Sequence, residues 1–303
     1  MLIREAIAQG SADLKYAGIN TPNLDASLLL AHVLKTDRTH LIAEGAKKLS
    51  VKECAAFCEF IERRASGECS AYITGRKEFR GLEFNVDKSV LVPRPDTETL
   101  VEAALEIISS KLNTAAQRYS GTKNKNNNIK VLDLCTGSGA IAISLKNEIP
   151  QPEIYATDIS LEALETAKAN ASRLVPKDQI HFYHGDLYNA LPLCAAVPPR
   201  ELFSLIISNP PYIPSGEIET LSAEVQNEPR IALDGGETGL EIIRRIIDGA
   251  PDFLAHDGTL LLEADPSQMS KIKKMFIQKC FEDIIIYKDL SGLERVIGGS
   301  YKI

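Results

Sequence analysis

The chain has 303 residues, 44% hydrophobic and 25% charged, with a formal net charge of −7. That length suits two globular domains of roughly 100–200 residues each, and the acidic balance argues against a general nucleic-acid binder, whose affinity needs a basic excess to neutralise phosphates. No apolar run approaches the ~20 residues of a membrane span, and Met1-Leu2-Ile3-Arg4-Glu5 lacks the layout of a signal peptide, so a cytoplasmic protein with no membrane partner is expected.

From Leu2 to about Gly67 apolar residues recur at helical spacing, as in Leu28, Leu29 and Leu30 with Val33 and Leu34, then Ala56, Phe57, Phe60 and Ile61. Asn20, Thr21 or Asn23 and Ser50 are candidate N-caps, and Gly18, Gly45 and Gly67 sit where helices would stop. This predicts a helical bundle over 1–70. Cys54 and Cys58 share a helix face without a nearby histidine, and Cys69, Cys135, Cys194 and Cys280 are scattered, so reduced thiols and no metal are expected.

Over 71–95 the pattern becomes β-rich, in 79–86 and in Val90, Leu91 and Val92, which predicts a hairpin linker turning at Gly81. Asp96-Thr97-Glu98 then opens a helix running through Ile108, with its acids suited to the N-terminal dipole, and 113–128 reads as a polar surface loop. Beyond it strands and helices alternate. Strand runs fall at 131–134, 154–157, 180–183, 205–207, 260–263, 284–287 and 295–297, with helices from Ala140, over 161–174, about 240–254 and about 267–279. Such alternation predicts an α/β fold, a doubly wound and mostly parallel sheet over 96–303, with ligands at the carboxyl ends of its strands.

Asp133-Leu134-Cys135-Thr136-Gly137-Ser138-Gly139-Ala140 follows the first of these strands, where glycines admit a ligand to the backbone and a helix N-terminus presents oriented N–H groups. Asp158, about 20 residues on, is placed to accept the hydroxyls of a ribose. The loop also passes a relaxed dinucleotide-binding pattern, so a nicotinamide enzyme competes with a methyl donor. Asp133 favours the donor, because a carboxylate at the strand end suits a cationic amino group and repels a pyrophosphate. Asp186 is placed for an adenine amine and Leu187 for its ring.

The run 205–207 leads through Ser208 into Asn209-Pro210-Pro211-Tyr212. Two prolines force the backbone out of the strand, so the Asn209 side chain and the Pro210 carbonyl can converge on one planar NH2 group beside an aromatic ring. The turn alone does not separate an amide from the exocyclic amine of a flipped base.

Ala71-Tyr72-Ile73-Thr74-Gly75, Glu78-Phe79-Arg80-Gly81-Leu82, Val90-Leu91-Val92-Pro93-Arg94-Pro95-Asp96-Thr97-Glu98, the glycine loop, Asn209-Pro210-Pro211-Tyr212-Ile213-Pro214 and Glu228-Pro229-Arg230-Ile231-Ala232-Leu233-Asp234-Gly235-Gly236 stand in this order. Together they resemble the signatures of the HemK/PrmC-like release factor glutamine methyltransferases over nearly the whole chain. The resemblance implies a helical substrate-recognition domain, a hairpin linker and a seven-stranded, Rossmann-like class I methyltransferase domain; a monomer without direct nucleic-acid contact is expected. It implies S-adenosyl-L-methionine as cofactor and, as substrate, the glutamine of a Gly-Gly-Gln motif in peptide chain release factors, methylated on its side-chain nitrogen. Asn209, Pro210, Pro211 and Tyr212 are then the catalytic residues, with Tyr212 packing on the substrate amide. Asp133, Cys135, Thr136, Gly137, Ser138, Gly139, Asp158, Asp186, Leu187 and Asn209 hold the cofactor.

The chain departs from that pattern in three places. Cys135 stands where many members have glycine, which a thiol tolerates at negative φ. Leu187 replaces a tryptophan found in some relatives, and Glu263-Ala264-Asp265 replaces a glycine-containing turn. Arg94 and Arg230 are read as surface ion pairs rather than channel residues. The rival reading is a nucleic-acid amino-methyltransferase, which should carry a basic base-reading module.

Overall fold

The computed structural model describes residues 1–118, 129–176, 179–191 and 202–302. The chain folds as two compact units, one of Met1–Arg76 with Leu221–Asn227 and one of Lys77–Thr220 with Glu228–Ile303.

The first unit is helical: α1 (Ile3–Tyr16), α2 (Pro22–Leu34), α3 (Arg38–Ala43), α4 (Val51–Ala65) and α5 (Ser70–Thr74), with one further helical turn at Ala223–Gln226. Leu14, Leu29, Leu30, Phe57 and Ile61 form its core, as the apolar spacing requires. Ser50 caps α4 by accepting from the Glu53 N–H, and Pro22 opens α2 after Thr21. A Cβ at Gly10 would lie 2.8 Å from the Phe57 ring, so glycine is what lets α1 approach α4. Arg64 is buried, donating to Asp25 at 2.8 Å and to Glu224 at 2.9 Å.

The second unit opens one residue into β1 (Arg76–Phe79), which pairs with β2 (Leu82–Asn85) in a two-stranded hairpin. Its turn places Arg80 and Gly81 at φ of 50° and 74°, the left-handed pair that a tight hairpin demands. Val90, Leu91 and Val92 are not in a strand, contrary to the expectation from their composition. The helix α6 (Thr97–Arg118) runs well beyond the expected start of the 113–128 loop, and residues 119–128 of that loop lie outside the described residues.

Then follow β3 (Lys130–Leu134), α7 (Ala140–Glu148), β4 (Glu153–Asp158), α8 (Leu161–Leu174), β5 (Ile180–His184), β6 (Phe203–Ser208), α9 (Glu241–Gly249), β7 (Leu254–Glu263), α10 (Met269–Gln278), β8 (Phe281–Lys288) and β9 (Glu294–Tyr301). The expected 240–254 helix ends at Gly249, because the chain enters a 3-10 turn at Ala250–Asp252 that carries Pro251. The strand expected from 260 accordingly begins at Leu254.

Seven strands form one sheet in the order β5-β4-β3-β6-β7-β9-β8. The first five in that order are parallel, while β9 is antiparallel to both β7 and β8. Leu132, Leu134, Ile206, Leu260 and Leu262 pack from the sheet against Ile243, Ile246 and Ile247 of α9. The strand order reverses between β3 and β6, and a crevice at the carboxyl ends of the strands is the physical consequence.

Candidate active site

A cavity of about 470 Å³ opens at those strand ends and is lined by Thr136, Gly137, Ser138, Asp158, Leu187 and Asn209 among others. Cys135, Asp186 and Pro211 also reach it. Asp133, Gly139, Pro210 and Tyr212 do not line it.

On the β3 side the backbone is tightly tied. Asp158, ending β4, accepts from the Gly137 N–H at 2.8 Å and the Ser160 N–H at 2.9 Å, one on each carboxylate oxygen. Burial raises its pKa against those hydrogen bonds. Each oxygen keeps a lone pair for a further donor such as a hydroxyl. Gly139 has φ of 81°, and a Cβ there would lie 2.9 Å from Ile143 and 3.3 Å from Ala167, so it sits behind the wall and brings α7 against α8. Asp133 is fully buried; its Oδ2 accepts from the Thr136 hydroxyl at 2.6 Å, and its Oδ1 has no partner among the described residues. Burial pushes this carboxyl up to about 7, and it is bonded to Thr136 from behind the cavity wall.

Cys135 adopts φ of 59°, not the negative φ under which a thiol replaces glycine without strain, and Leu187 adopts 50°. Each left-handed non-glycine residue costs about 1–2 kcal/mol, which the surrounding packing must offset. Asp186 pairs with Arg245 of α9 at 2.5 Å, and both line the cavity.

On the β6 side, Ser208 ties the strand end to its neighbour by donating to the Leu134 carbonyl at 2.7 Å. Asn209 donates through Nδ2 to the Thr97 hydroxyl at 3.1 Å, which leaves Oδ1 as its free acceptor. Pro210 is buried behind it. The Tyr212 ring, partly buried, packs against the hydrophobic core, burial raises its phenol pKa, and the ring does not line the cavity as it stands. The turn is stapled to the 228–236 motif by Ile213 N–H to Leu233 O at 3.0 Å and Gly235 N–H to Ile213 O at 2.8 Å. A Cβ at Gly235 would lie 2.8 Å from the Pro211 carbonyl, so that motif supplies the glycine for close approach. Arg94 and Arg230, read from sequence as surface ion pairs, do pair with Glu228 at 2.5 Å and Asp234 at 3.2 Å, yet both line the cavity.

Residues 5–75 match the model described as the PrmC N-terminal domain, and residues 110–288 match the methyltransferase small domain. A release factor glutamine methyltransferase of Bradyrhizobium diazoefficiens is 39% identical over 289 residues, which is 95% of this chain and 91% of that protein. The chain belongs to the release factor glutamine methyltransferase family. A bifunctional methyltransferase of Rickettsia prowazekii is 38% identical over 97% of this chain but only 56% of its own length, so the chain spans about half of the first curated relatives it matches. The crystal structure of the hMettl16 catalytic domain in complex with MAT2A 3'UTR hairpin 6 shares the fold, with a TM-score of 0.54 at 13% identity over 80% of this chain and 81% of that one.

Methyltransferases of this fold generally use S-adenosylmethionine, and the wall suits it: a glycine backbone at Gly137 and a carboxylate at Asp158 with lone pairs to spare. Within this family member, three supporting residues are not apparent from the sequence. Asn170 of α8 is fully buried and bonds the Asn85 carbonyl at 3.0 Å, the Asn85 N–H at 2.8 Å and the Ser138 carbonyl at 3.0 Å. Its one signal is a polar residue three positions after the buried Ala167 on an otherwise apolar helix face. Thr97 lies inside the Val90 to Glu98 motif, which gives it no role of its own, and Glu263 stands out only as a departure from the family's turn.

Proposed function

We propose that this chain transfers the methyl group of S-adenosyl-L-methionine to the side-chain amide nitrogen of the glutamine in the Gly-Gly-Gln motif of peptide chain release factors. The observation that carries the reading is the Asn209 amide, anchored through Nδ2 and lining the same cavity as Gly137 and Asp158. When bound, the cofactor supplies an electrophilic methyl on a sulfonium.

An amide nitrogen is a weak nucleophile because its lone pair is delocalised into the carbonyl. Asn209 Oδ1 accepts one of its N–H bonds, which turns the nitrogen towards the donor side of the cavity; Pro210, whose carbonyl the sequence suggests for the other, is buried and does not line the cavity. Pro211 forms the wall beside the nitrogen. Holding the reacting atoms roughly 3–3.5 Å apart in this way supplies several kcal/mol of the barrier. Asp158 orients the cofactor through its ribose, and Asp186 with Leu187 bounds the adenine end. The acidic net charge of −7 suits a protein substrate better than a phosphate backbone.

The test is to incubate the purified protein with isotope-labelled S-adenosylmethionine and, separately, a release factor, RNA or DNA, and to map the label by mass spectrometry. Label on the Gly-Gly-Gln glutamine is expected. Label on nucleic acid alone, or elsewhere on the release factor, would refute the reading.

A further inference from the structure

Glu263, the last residue of β7, is 1% exposed, and its Oε2 has no hydrogen-bond partner among the described residues. Its carboxyl interacts with the Thr97 hydroxyl and the Asn209 side-chain amide. A buried acid without a dedicated cation is expensive to keep unless it performs a task. We propose that Glu263 is a positioning residue that fixes which way round the Asn209 amide sits, acting on it directly and through Thr97, so that Oδ1 rather than Nδ2 faces the substrate. This rests on the methyl acceptor being an NH2 group, as proposed above.

The argument is one of donors and acceptors. A carboxylate only accepts, so Glu263 calls for a donor from the two side chains it interacts with, the Thr97 hydroxyl and the Asn209 amide. With its proton on Glu263, Thr97 offers Asn209 nothing but lone pairs, and Asn209 can satisfy them only with Nδ2, as the 3.1 Å contact shows. Its Oδ1 is thereby turned the other way. A protonated Glu263 can itself donate, which frees the Thr97 proton for Asn209 Oδ1 and admits the flipped amide. The flipped amide would set NH2 against the substrate's NH2, a clash of donors.

The groups facing Glu263 are Arg295 of β9, Asp96 ahead of α6 and the Tyr212 phenol. Arg295 is shared with Asp289 at 3.2 Å and Asp96 at 3.3 Å, and Tyr212 stays neutral because burial raises its pKa. Burial pushes the Glu263 carboxyl up to about 7, with Thr97, Arg295 and Asn209 opposing that rise. The switch in polarity therefore falls near neutral pH.

Two measurements test this. In the full chain labelled with ¹⁵N-asparagine, the Asn209 side-chain NH2 signal, assigned by its loss in Asn209→Ser, should titrate near neutral pH in the wild type and stop doing so in Glu263→Gln. An Asn209 signal that does not titrate, or titrates identically in Glu263→Gln, overturns the proposal, and this arm needs no substrate.

With a release factor, Glu263→Leu should lower kcat about 10²-fold at little change in KM or cofactor Kd. Glu263→Gln, which like the protonated acid can donate, should hold kcat near the wild type's low-pH level at every pH and so abolish its rise with pH. A folded Glu263→Leu with kcat within about twofold of wild type overturns the proposal; should that variant not fold, the isosteric Thr97→Val carries the same kinetic test. A wild type inert on release factors whose Asn209 signal nevertheless titrates would sink the proposed function and leave Glu263 in its positioning role.

Discussion

On the donor side of the cavity the Gly137 loop is held by side chains gripping backbone: Asp158 takes the Gly137 N–H and Asn170 gives to the Ser138 carbonyl. On the acceptor side Asn209 is held side chain to side chain, by a hydrogen bond to Thr97 and by Glu263, which interacts with both. Backbone groups have a fixed polarity, so the donor side needs only to be placed. An amide side chain can sit either way round, so the acceptor side must be placed and also polarised. The expected effects of mutation divide along the same line.

Asn209→Ala should break the acceptor side alone. Removing the one acceptor aimed at a buried N–H is expected to lower kcat about 10³-fold, in the range of an oxyanion-hole donor, while cofactor Kd measured by calorimetry stays within about threefold. Near-normal turnover would end the proposed role of the turn. Asp158→Ala should break the other side alone. It loses a charged acceptor of about 1.5–3 kcal/mol, so cofactor Kd should rise about 10- to 100-fold with turnover at saturating cofactor little changed. An unchanged Kd would remove Asp158 from the cofactor site.

The same division explains what is legible in sequence. The glycine loop, Asp158 and the strand alternation are local patterns, and the sheet order and the position of the cavity follow from them. Polarity at Asn209 depends on Thr97, 112 positions away, and on Glu263 on another strand, and no local spacing announces such a contact. Tyr212 is ambiguous in sequence for a related reason: an aromatic beside a turn packs equally well on substrate or on core, and only the fold shows that one side of it meets the core. The left-handed φ at Cys135 is likewise a property of the finished strand end, where glycine would be the unstrained choice.

Asn170→Ala sharpens the comparison from the donor side. It leaves the Asn85 N–H, the Asn85 carbonyl and the Ser138 carbonyl without their partner in a buried site, at about 1–3 kcal/mol for the stability measured by urea unfolding, with cofactor affinity falling in parallel. Stability lost without any change in affinity would mean that Asn170 supports the β1–β2 hairpin but not the glycine loop.

The smallest effect expected is also the one that separates stability from function. The folded Glu263 carboxyl, pushed up to about 7 from an ordinary 4.5, binds a proton more readily than the unfolded one. Its stabilising contribution is therefore complete below pH 4.5 and is lost as pH rises to about 7. Glu263→Gln carries no such loss, so its melting temperature should equal or trail the wild type near pH 4.5 and exceed it above pH 7, by at most about 3 kcal/mol in free energy. Asp133 titrates in the same direction but is common to both proteins and cancels in the difference. A more stable enzyme at pH 8 whose kcat no longer rises with pH would show that the buried charge is retained for the orientation of Asn209 at the expense of stability. If the two proteins melt together at every pH, the carboxyl ionises as it would in water, and its burial confers neither strain nor polarity.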